Sequence, residues 1–385
     1  MFHIADPHEI KRGRVTDVYF ARTLEILKAK GVNKSVRAEF FAKKLPNNEP
    51  WGVLAGIEEV VHLMEGKDVN IRSFREGEVF LPWEPVMEIE GMYQEFCVFE
   101  TALLGLICES TGVATKSARI KKAAGERMVV SFGARRMHPV IAPMIERSAF
   151  IGGCDGVAVI VSAELLDVDP MGTMPHALIL VLGDTVTAIK AYDEVLDKKL
   201  KRVALIDTFN DEKFEAIRVA DAMGGRLDAL RLDTPASRRG DFYRIFKEVR
   251  WELDLRGYKD VQLFASGGLD EKEVKELSPV VDAFGVGTCI SNAPVVDFAM
   301  DITEIEGFAI AKRGKWSGAK DVMRCGSCGL RKIIPLGAKV EKCGCGGQFE
   351  SLFVPIIEGG KVVAELPKPK EIRQRVLDRI KGLEV

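Results

Sequence analysis

Glutamine is nearly missing from this chain: only Gln94, Gln262, Gln348 and Gln374 occur among 385 residues, while Lys and Glu are plentiful, a composition seen in heat-adapted proteins. An excess of one charge is missing too. With 55 basic against 57 acidic side chains and a formal charge of -2, the chain is not a generally polybasic nucleic-acid binder. Long hydrophobic runs are absent; the longest clean apolar stretch, Ala177 to Leu182, is far short of the roughly 20 residues that a membrane helix needs. The segment Met1 to Arg14 carries His3, Asp6, His8, Glu9 and Lys11 with no apolar core and does not read as a signal peptide. Eight cysteines in a chain of this length are too few for a disulfide framework. These absences predict a cytoplasmic protein without a membrane partner.

With 47% hydrophobic and 29% charged residues the chain is not disordered, and its length predicts about two or three units of roughly 100–200 residues each. Helix and strand periods mix at first. A helix is expected over Thr16 to Lys30, capped by Thr16 and stopped by Gly31, then strands at Val36 to Ala42 and Val69 to Phe74. An apolar helix over Tyr93 to Ser110 and a second over Val113 to Ala124 close this α+β part. Beyond it, β-branched runs alternate with helices: Met128–Phe132, Gly156–Val161, Arg202–Ile206, Ala229–Leu232, Val261–Ala265 and Ala283–Val286. Such repeats make a parallel sheet. A closed barrel is favoured over an open sheet because no Gly-x-Gly-x-x-Gly follows the first strand and the last two turns are both Gly-rich. The expected organisation is an N-terminal α/β domain (1–112), a barrel (113–292), and a return segment with a small C-terminal domain (293–385), ending in a helix over Glu371 to Lys381.

In a barrel the reactive groups stand where strands end. Ser266-Gly267-Gly268 and Gly285-Val286-Gly287-Thr288 close two consecutive strands with backbone N–H groups that no side chain hinders, as a phosphate site requires. Phe132 is followed by Gly133, Arg135 and Arg136; Asp207 ends another strand; Arg231 and Asp233 flank Leu232. Arginines there can hold phosphates or carboxylates, and aspartates can hold ribose hydroxyls or magnesium. Singly such residues read as surface ion pairs. Together they point to an anionic, hydroxyl-bearing substrate.

The set Thr16-Asp17-Val18-Tyr19, Phe132-Gly133-Ala134-Arg135-Arg136, Gly172-Thr173-Met174-Pro175-His176, Arg231-Leu232-Asp233-Thr234 and Ser266-Gly267-Gly268 resembles the nicotinate phosphoribosyltransferase family, in the family's order. The resemblance implies a type II phosphoribosyltransferase-like fold: an N-terminal α/β domain on an irregular parallel α/β barrel. It implies a reaction that joins nicotinate to phosphoribosyl pyrophosphate, with magnesium, in a homodimer or higher homo-oligomer with shared sites. By motif, Tyr19 would stack on the pyridine ring from the neighbouring subunit with Asp17 nearby, and Phe132 would take the other face. Arg135 and Arg136 would hold substrate beside Thr173, Asp155 would lie near the pyridine substituent, and Arg231 and Asp233 would bind phosphate and ribose. Gly267, Gly268, Gly285 and Gly287, with Ser266 and Thr288, would cradle the 5′-phosphate. Many members phosphorylate the histidine of Gly-Thr-x-x-His with ATP, which implies that role for His176; here Pro175 and Ala177 flank it, where the commoner bacterial pattern has Ala and Ser. A second departure is Thr234-Pro235-Ala236-Ser237-Arg238-Arg239-Gly240-Asp241, where relatives commonly have Ser-Gly-Asp.

Cys325, Cys328, Cys343 and Cys345 form two pairs on glycine-rich knuckles, a pattern suited to a closed, structural zinc site; reduced thiols, an iron–sulfur cluster or a disulfide pair are the alternatives. Arg324, Arg331, Lys332, Lys339 and Lys342 surround the knuckle, so a zinc-ribbon RNA-binding or regulatory protein is the competing class. Quinolinate or nicotinamide in place of nicotinate is the nearer alternative.

Overall fold

The computed structural model describes residues 2–384. It divides into two compact units: Met1–Thr115 with Pro294–Arg379, and Lys116–Ala293 with Ile380–Val385, the division falling inside the helix Glu100–Ala124.

The first unit is built on a seven-stranded antiparallel sheet in the order Phe308–Ala309, Phe298–Ile305, Ser35–Ala42, Pro85–Met92, Val69–Phe74, Phe353–Glu358, Lys361–Val362. Strand alternation sorts its faces. Ala38, Phe40, Ile71, Met87 and Ile89 share a core with Val60 and Met64 of the helix Ile57–Met64 and with Leu103 and Ile107. The other face carries charge: Arg37 and Arg72 both pair with Glu88, and Lys320 with Glu39. The return segment thus contributes strands to the sheet begun by the first hundred residues.

Two expectations are corrected here. The helix Val18–Ala29 starts one residue after Asp17, which occupies the cap position in place of Thr16. Thr111-Gly112 does not separate two helices: Glu100–Ala124 is continuous, preceded by the short helical turns Tyr93–Phe96 and Cys97–Phe99. Gly112 serves close packing, since a Cβ there would lie 2.4 Å from the Pro294 carbonyl oxygen. By length and hydropathy alone Tyr93–Ala124 is apolar enough to cross a membrane. Here Phe96, Leu103 and Ile107 are core residues, and Glu109, Lys116, Arg119, Lys121 and Lys122 lie along it.

The second unit holds six parallel strands: β1 (Met128–Ser131), β2 (Gly156–Val157), β3 (Val203–Leu205), β4 (Ala229–Leu232), β5 (Gln262–Ala265) and β6 (Ala283–Val286). Their hydrogen-bonded order, β2-β1-β6-β5-β4-β3, is a barrel's cyclic order interrupted at one seam, between β2 and β3. Val130, Val203, Ala229, Phe264 and Ala283 form a buried cluster within it. The expected strand over Gly156–Val161 ends at Val157; Ile160 already begins the helix Ile160–Leu166, and Ile160 and Val161 are exposed there. Helices Glu212–Met223, Phe242–Leu255 and Glu271–Leu277 follow β3, β4 and β5.

Candidate active site

Residues two apart on a strand share a face. Arg231 and Asp233 therefore point together at the end of β4, while Leu232 between them is fully buried. The Arg231 guanidinium donates from Nε to Ser266 Oγ (2.8 Å) and from Nη1 to Thr173 Oγ1 (2.8 Å), and its Nη2 pairs with Asp233 Oδ1 at 3.0 Å. Ser266, at the end of β5, donates to the same Asp233 oxygen at 2.6 Å. One arginine, one carboxylate and two hydroxyls are thus locked into a single arrangement.

His176 opens the helix His176–Leu182 and stands between two carboxylates. Its Nε2 lies 3.2 Å from both oxygens of Asp207, and its Nδ1 4.0 Å from Asp233 Oδ2. Burial pushes the Asp207 carboxyl above the usual range, with the negative charge of Asp233 adding to the rise and His176 opposing it. Thr208, next to it, and Ser131, at the end of β1, have buried hydroxyls without a hydrogen-bond partner among the described residues.

Phe132 lies beside this group. Its ring stacks on Phe264 at 5.7 Å, and the Arg231 guanidinium carbon sits 5.3 Å from its centroid. A Cβ on Gly285 would come within 2.4 Å of the Phe132 ring, so glycine there makes room for the ring. A Cβ on Gly287 would lie 3.3 Å from the Phe132 carbonyl oxygen, and Thr288, exposed, begins the turn that follows. After Ser266 the chain turns through Gly267 and Gly268 at φ of +94° and +71°. No protein group among the described residues accepts from the N–H groups of Gly267, Gly268 and Leu269. A Cβ at Gly267 would lie 2.7 Å from the Asp233 carbonyl oxygen, so only glycine lets this turn rest on the end of β4.

The other sequence-derived positions divide. Arg135 and Arg136 follow β1 in the short helical turn Ala134–Arg136, both exposed. Asp155 is not brought to this end: its carboxylate accepts from the Val129 N–H (2.8 Å) and from Lys121 Nζ (2.9 Å) at the opposite ends of β1 and β2, where it ties the two strand starts together. Asp17 and Tyr19 belong to the first unit. There Thr101 bridges the Asp17 N–H and carboxylate (3.0 and 3.2 Å), and Tyr19 is exposed. Asp207, read from sequence as one of the strand-end aspartates suited to ribose hydroxyls or magnesium, pairs with His176, a contact that the sequence did not signal.

Around Arg231 the structure therefore offers a fixed cation, a carboxylate with one oxygen free of hydrogen bonds, a histidine between two acids, an aromatic ring and unoccupied backbone donors. Such a group can hold a phosphorylated, hydroxyl-bearing ligand and stabilise positive charge next to it. Burial pushes the thiols of Cys97, Cys108 and Cys289 up, Cys108 to about 11, which disfavours their thiolate forms.

The four clustered cysteines lie in the first unit. Their sulfurs are all within 4.8 Å of one another, with Cys325–Cys345 and Cys328–Cys343 each at 3.5 Å. That is too long for a disulfide, whose sulfurs are about 2.0 Å apart, and close to the roughly 3.8 Å edge of a tetrahedron with about 2.3 Å metal–sulfur bonds. They could hold a metal ion. A Cβ on Gly347 would strike Cys325 Sγ at 2.6 Å, so the second knuckle needs glycine. The strand Lys320–Cys325 between Arg331–Pro335 and Phe349–Ser351 carries the site. The basic collar is partly spent inward: Arg324 pairs with buried Glu78 (2.6 Å) and Arg331 with buried Glu84 (2.7 Å). Two of the five cations expected to face a nucleic acid are thus engaged within the fold.

Residues 17–111 match the N-terminal domain of the quinolinate phosphoribosyl transferase family, and residues 113–301 its C-terminal domain. A nicotinate phosphoribosyltransferase of Bacillus subtilis is 30% identical over 314 residues, 72% of this chain; the chain spans 63% of that relative's length. A nicotinate phosphoribosyltransferase of Mycobacterium tuberculosis is 28% identical over 392 residues, covering 91% of this chain and 82% of its own length. Among solved structures, nicotinate-nucleotide pyrophosphorylase from Pyrococcus furiosus superposes with a TM-score of 0.98 at 53% identity, covering 100% of this chain and 99% of that one. Human nicotinic acid phosphoribosyltransferase shares the fold, with a TM-score of 0.74 at 16% identity over 96% and 94% of the two chains.

Proposed function

The chain belongs to the family of quinolinate and nicotinate phosphoribosyltransferases, and from that membership we propose that it joins nicotinate to phosphoribosyl pyrophosphate, giving nicotinate mononucleotide and pyrophosphate. The observation that carries this reading is the Arg231–Asp233–Ser266 network beside free Gly267 and Gly268 N–H groups.

The ring nitrogen of nicotinate is already a nucleophile, so no general base is needed. It attacks the anomeric carbon as the bond to pyrophosphate breaks, and positive charge develops on the ribose. Asp233 orients the ribose hydroxyls and stabilises that charge; Arg231, holding Asp233 and Thr173, fixes the carboxylate in advance of the reaction. Phe132 receives one face of the pyridine ring. The Gly267–Gly268 turn takes the 5′-phosphate, and Arg135 and Arg136 face the anionic groups. Magnesium carried with the pyrophosphate would neutralise the leaving group, and the unbonded Asp233 oxygen suits it. His176 is the site of ATP coupling, positioned by Asp207.

The opposite ring face would come from Tyr19 of a second copy. Exposed apolar residues on both units support an oligomer: Ile160, Leu165 and Val181 flank the His176 loop, and Val18 and Ile26 flank Tyr19. We assign zinc to the four cysteines, as a closed structural site outside the chemistry. Four thiols at metal spacing fit a reducing, cytoplasmic setting.

The test offers nicotinate, quinolinate and nicotinamide separately with magnesium and phosphoribosyl pyrophosphate, each with and without ATP. Mononucleotide from nicotinate supports the reading. Product from quinolinate alone would reassign the substrate, and salt-sensitive RNA binding without turnover would reassign the class.

A further inference from the structure

The segment Thr234 to Asp241, where the chain departs from the commoner family pattern, contains one buried cation. Arg238 is exposed, but Arg239 next to it is buried. A buried guanidinium is stable only when its donors are used. Arg239 Nη1 donates to the Gly267 carbonyl oxygen at 2.8 Å, Nη2 pairs with Glu273, and its guanidinium carbon lies 4.6 Å from the Phe242 ring centroid. The other Glu273 oxygen accepts from the Asp270 N–H at 3.0 Å, within the capping box that starts Glu271–Leu277. One side chain therefore grips both ends of the turn that leaves β5.

The grip has a directional consequence. The peptide between Gly267 and Gly268 is trans and planar, so its N–H points opposite to its C=O. Both flanking residues are glycines, for which reversal of that peptide meets little steric resistance. Holding the Gly267 carbonyl fixes the Gly268 N–H on the side away from Arg239, where no protein group among the described residues takes it. We propose that Arg239 is a positioning residue for phosphate recognition: it never touches the ligand, but it keeps the Gly267–Gly268 peptide in the orientation that presents its N–H to the 5′-phosphate. This rests on the reading of the site as a phosphoribosyl site.

The experiment compares the wild type with Arg239→Met, Arg239→Lys and Glu273→Gln. It reads KM for phosphoribosyl pyrophosphate and for nicotinate, and binding of inorganic phosphate by calorimetry. Arg239→Met is expected to raise the phosphoribosyl pyrophosphate KM and the phosphate Kd about tenfold while moving the nicotinate KM less than about twofold; Arg239→Lys, which can keep one of the two contacts, should fall between. Leu277→Ala, which removes buried packing from the following helix, should lower Tm without either shift. If Arg239→Met lowers Tm but leaves both phosphate constants at the wild-type values, its role is structural and the proposal fails. It also fails if the wild type binds no phosphate. Absence of turnover with every pyridine would overturn the proposed function, whereas phosphate binding that weakens in Arg239→Met would still support the positioning role. Should Arg239→Met not fold, Arg239→Lys and Glu273→Gln decide by the same constants.

Discussion

Replacing Asp233 by Asn keeps the shape of the side chain and removes its charge. If the developing ribose cation lies about 4 Å from the carboxylate, an effective dielectric constant of about 20 gives an attraction of about 4 kcal/mol. The amide dipole retains part of it, leaving a loss of roughly 3–4 kcal/mol, or about a 100- to 1000-fold fall in kcat at about 1.4 kcal/mol per tenfold. The fold should survive. The amide oxygen can still accept from Arg231 and Ser266, and Arg231 keeps Thr173 and Ser266 as partners. Weakening these charge-assisted bonds costs about 1–2 kcal/mol, a Tm change of roughly 2–8 °C. The assay is steady-state mononucleotide formation with calorimetry on the same samples. A kcat within about threefold of wild type, in folded protein, would refute the role of Asp233.

Cys325→Ser should lower bound metal, read by elemental analysis, and reduce Tm by several degrees while sparing kcat of the protein that stays folded; a lost kcat at unchanged Tm would contradict a structural metal. His176→Ala should abolish ATP hydrolysis and bring turnover with ATP down to the ATP-free level; retained stimulation by ATP would move the coupling elsewhere. Glu100 provides a pH test. Burial raises its carboxyl from 4.5 to about 7, so the folded state binds its proton more tightly than the unfolded state, and stability is lost as pH rises through that interval. Glu100→Gln should match wild type at pH 4 and exceed it by roughly 1–3 kcal/mol at pH 8 in denaturant titrations, and equal differences at both pH values would reject the shift.

What could be read from the sequence was what depends on near neighbours. The ranges Ala229–Leu232 and Ala283–Val286 were expected and are the observed β4 and β6, because short β-branched runs between turn residues leave little choice. The shared face of Arg231 and Asp233 follows from strand period alone. Where a residue's role depends on a distant partner, spacing was silent. Asp207 meets a histidine 31 positions away, and Arg324 reaches Glu78 across 246 positions. Gly285 read as phosphate-binding backbone, whereas its open side is filled by Phe132. The resemblance placed Asp155 near the pyridine substituent, but it precedes its strand and clamps the other end of the sheet. Two helices were expected on either side of Thr111-Gly112, but the helix runs through, and a Cβ on Gly112 would lie 2.4 Å from the Pro294 carbonyl oxygen.

The central claim is that this site transfers a phosphoribosyl group to nicotinate, and its most direct test follows both products at once. Purified protein with magnesium, nicotinate and phosphoribosyl pyrophosphate should release pyrophosphate and nicotinate mononucleotide in a one-to-one ratio, resolved by chromatography. Pyrophosphate release without mononucleotide, or neither product from folded, metal-loaded protein, would contradict it.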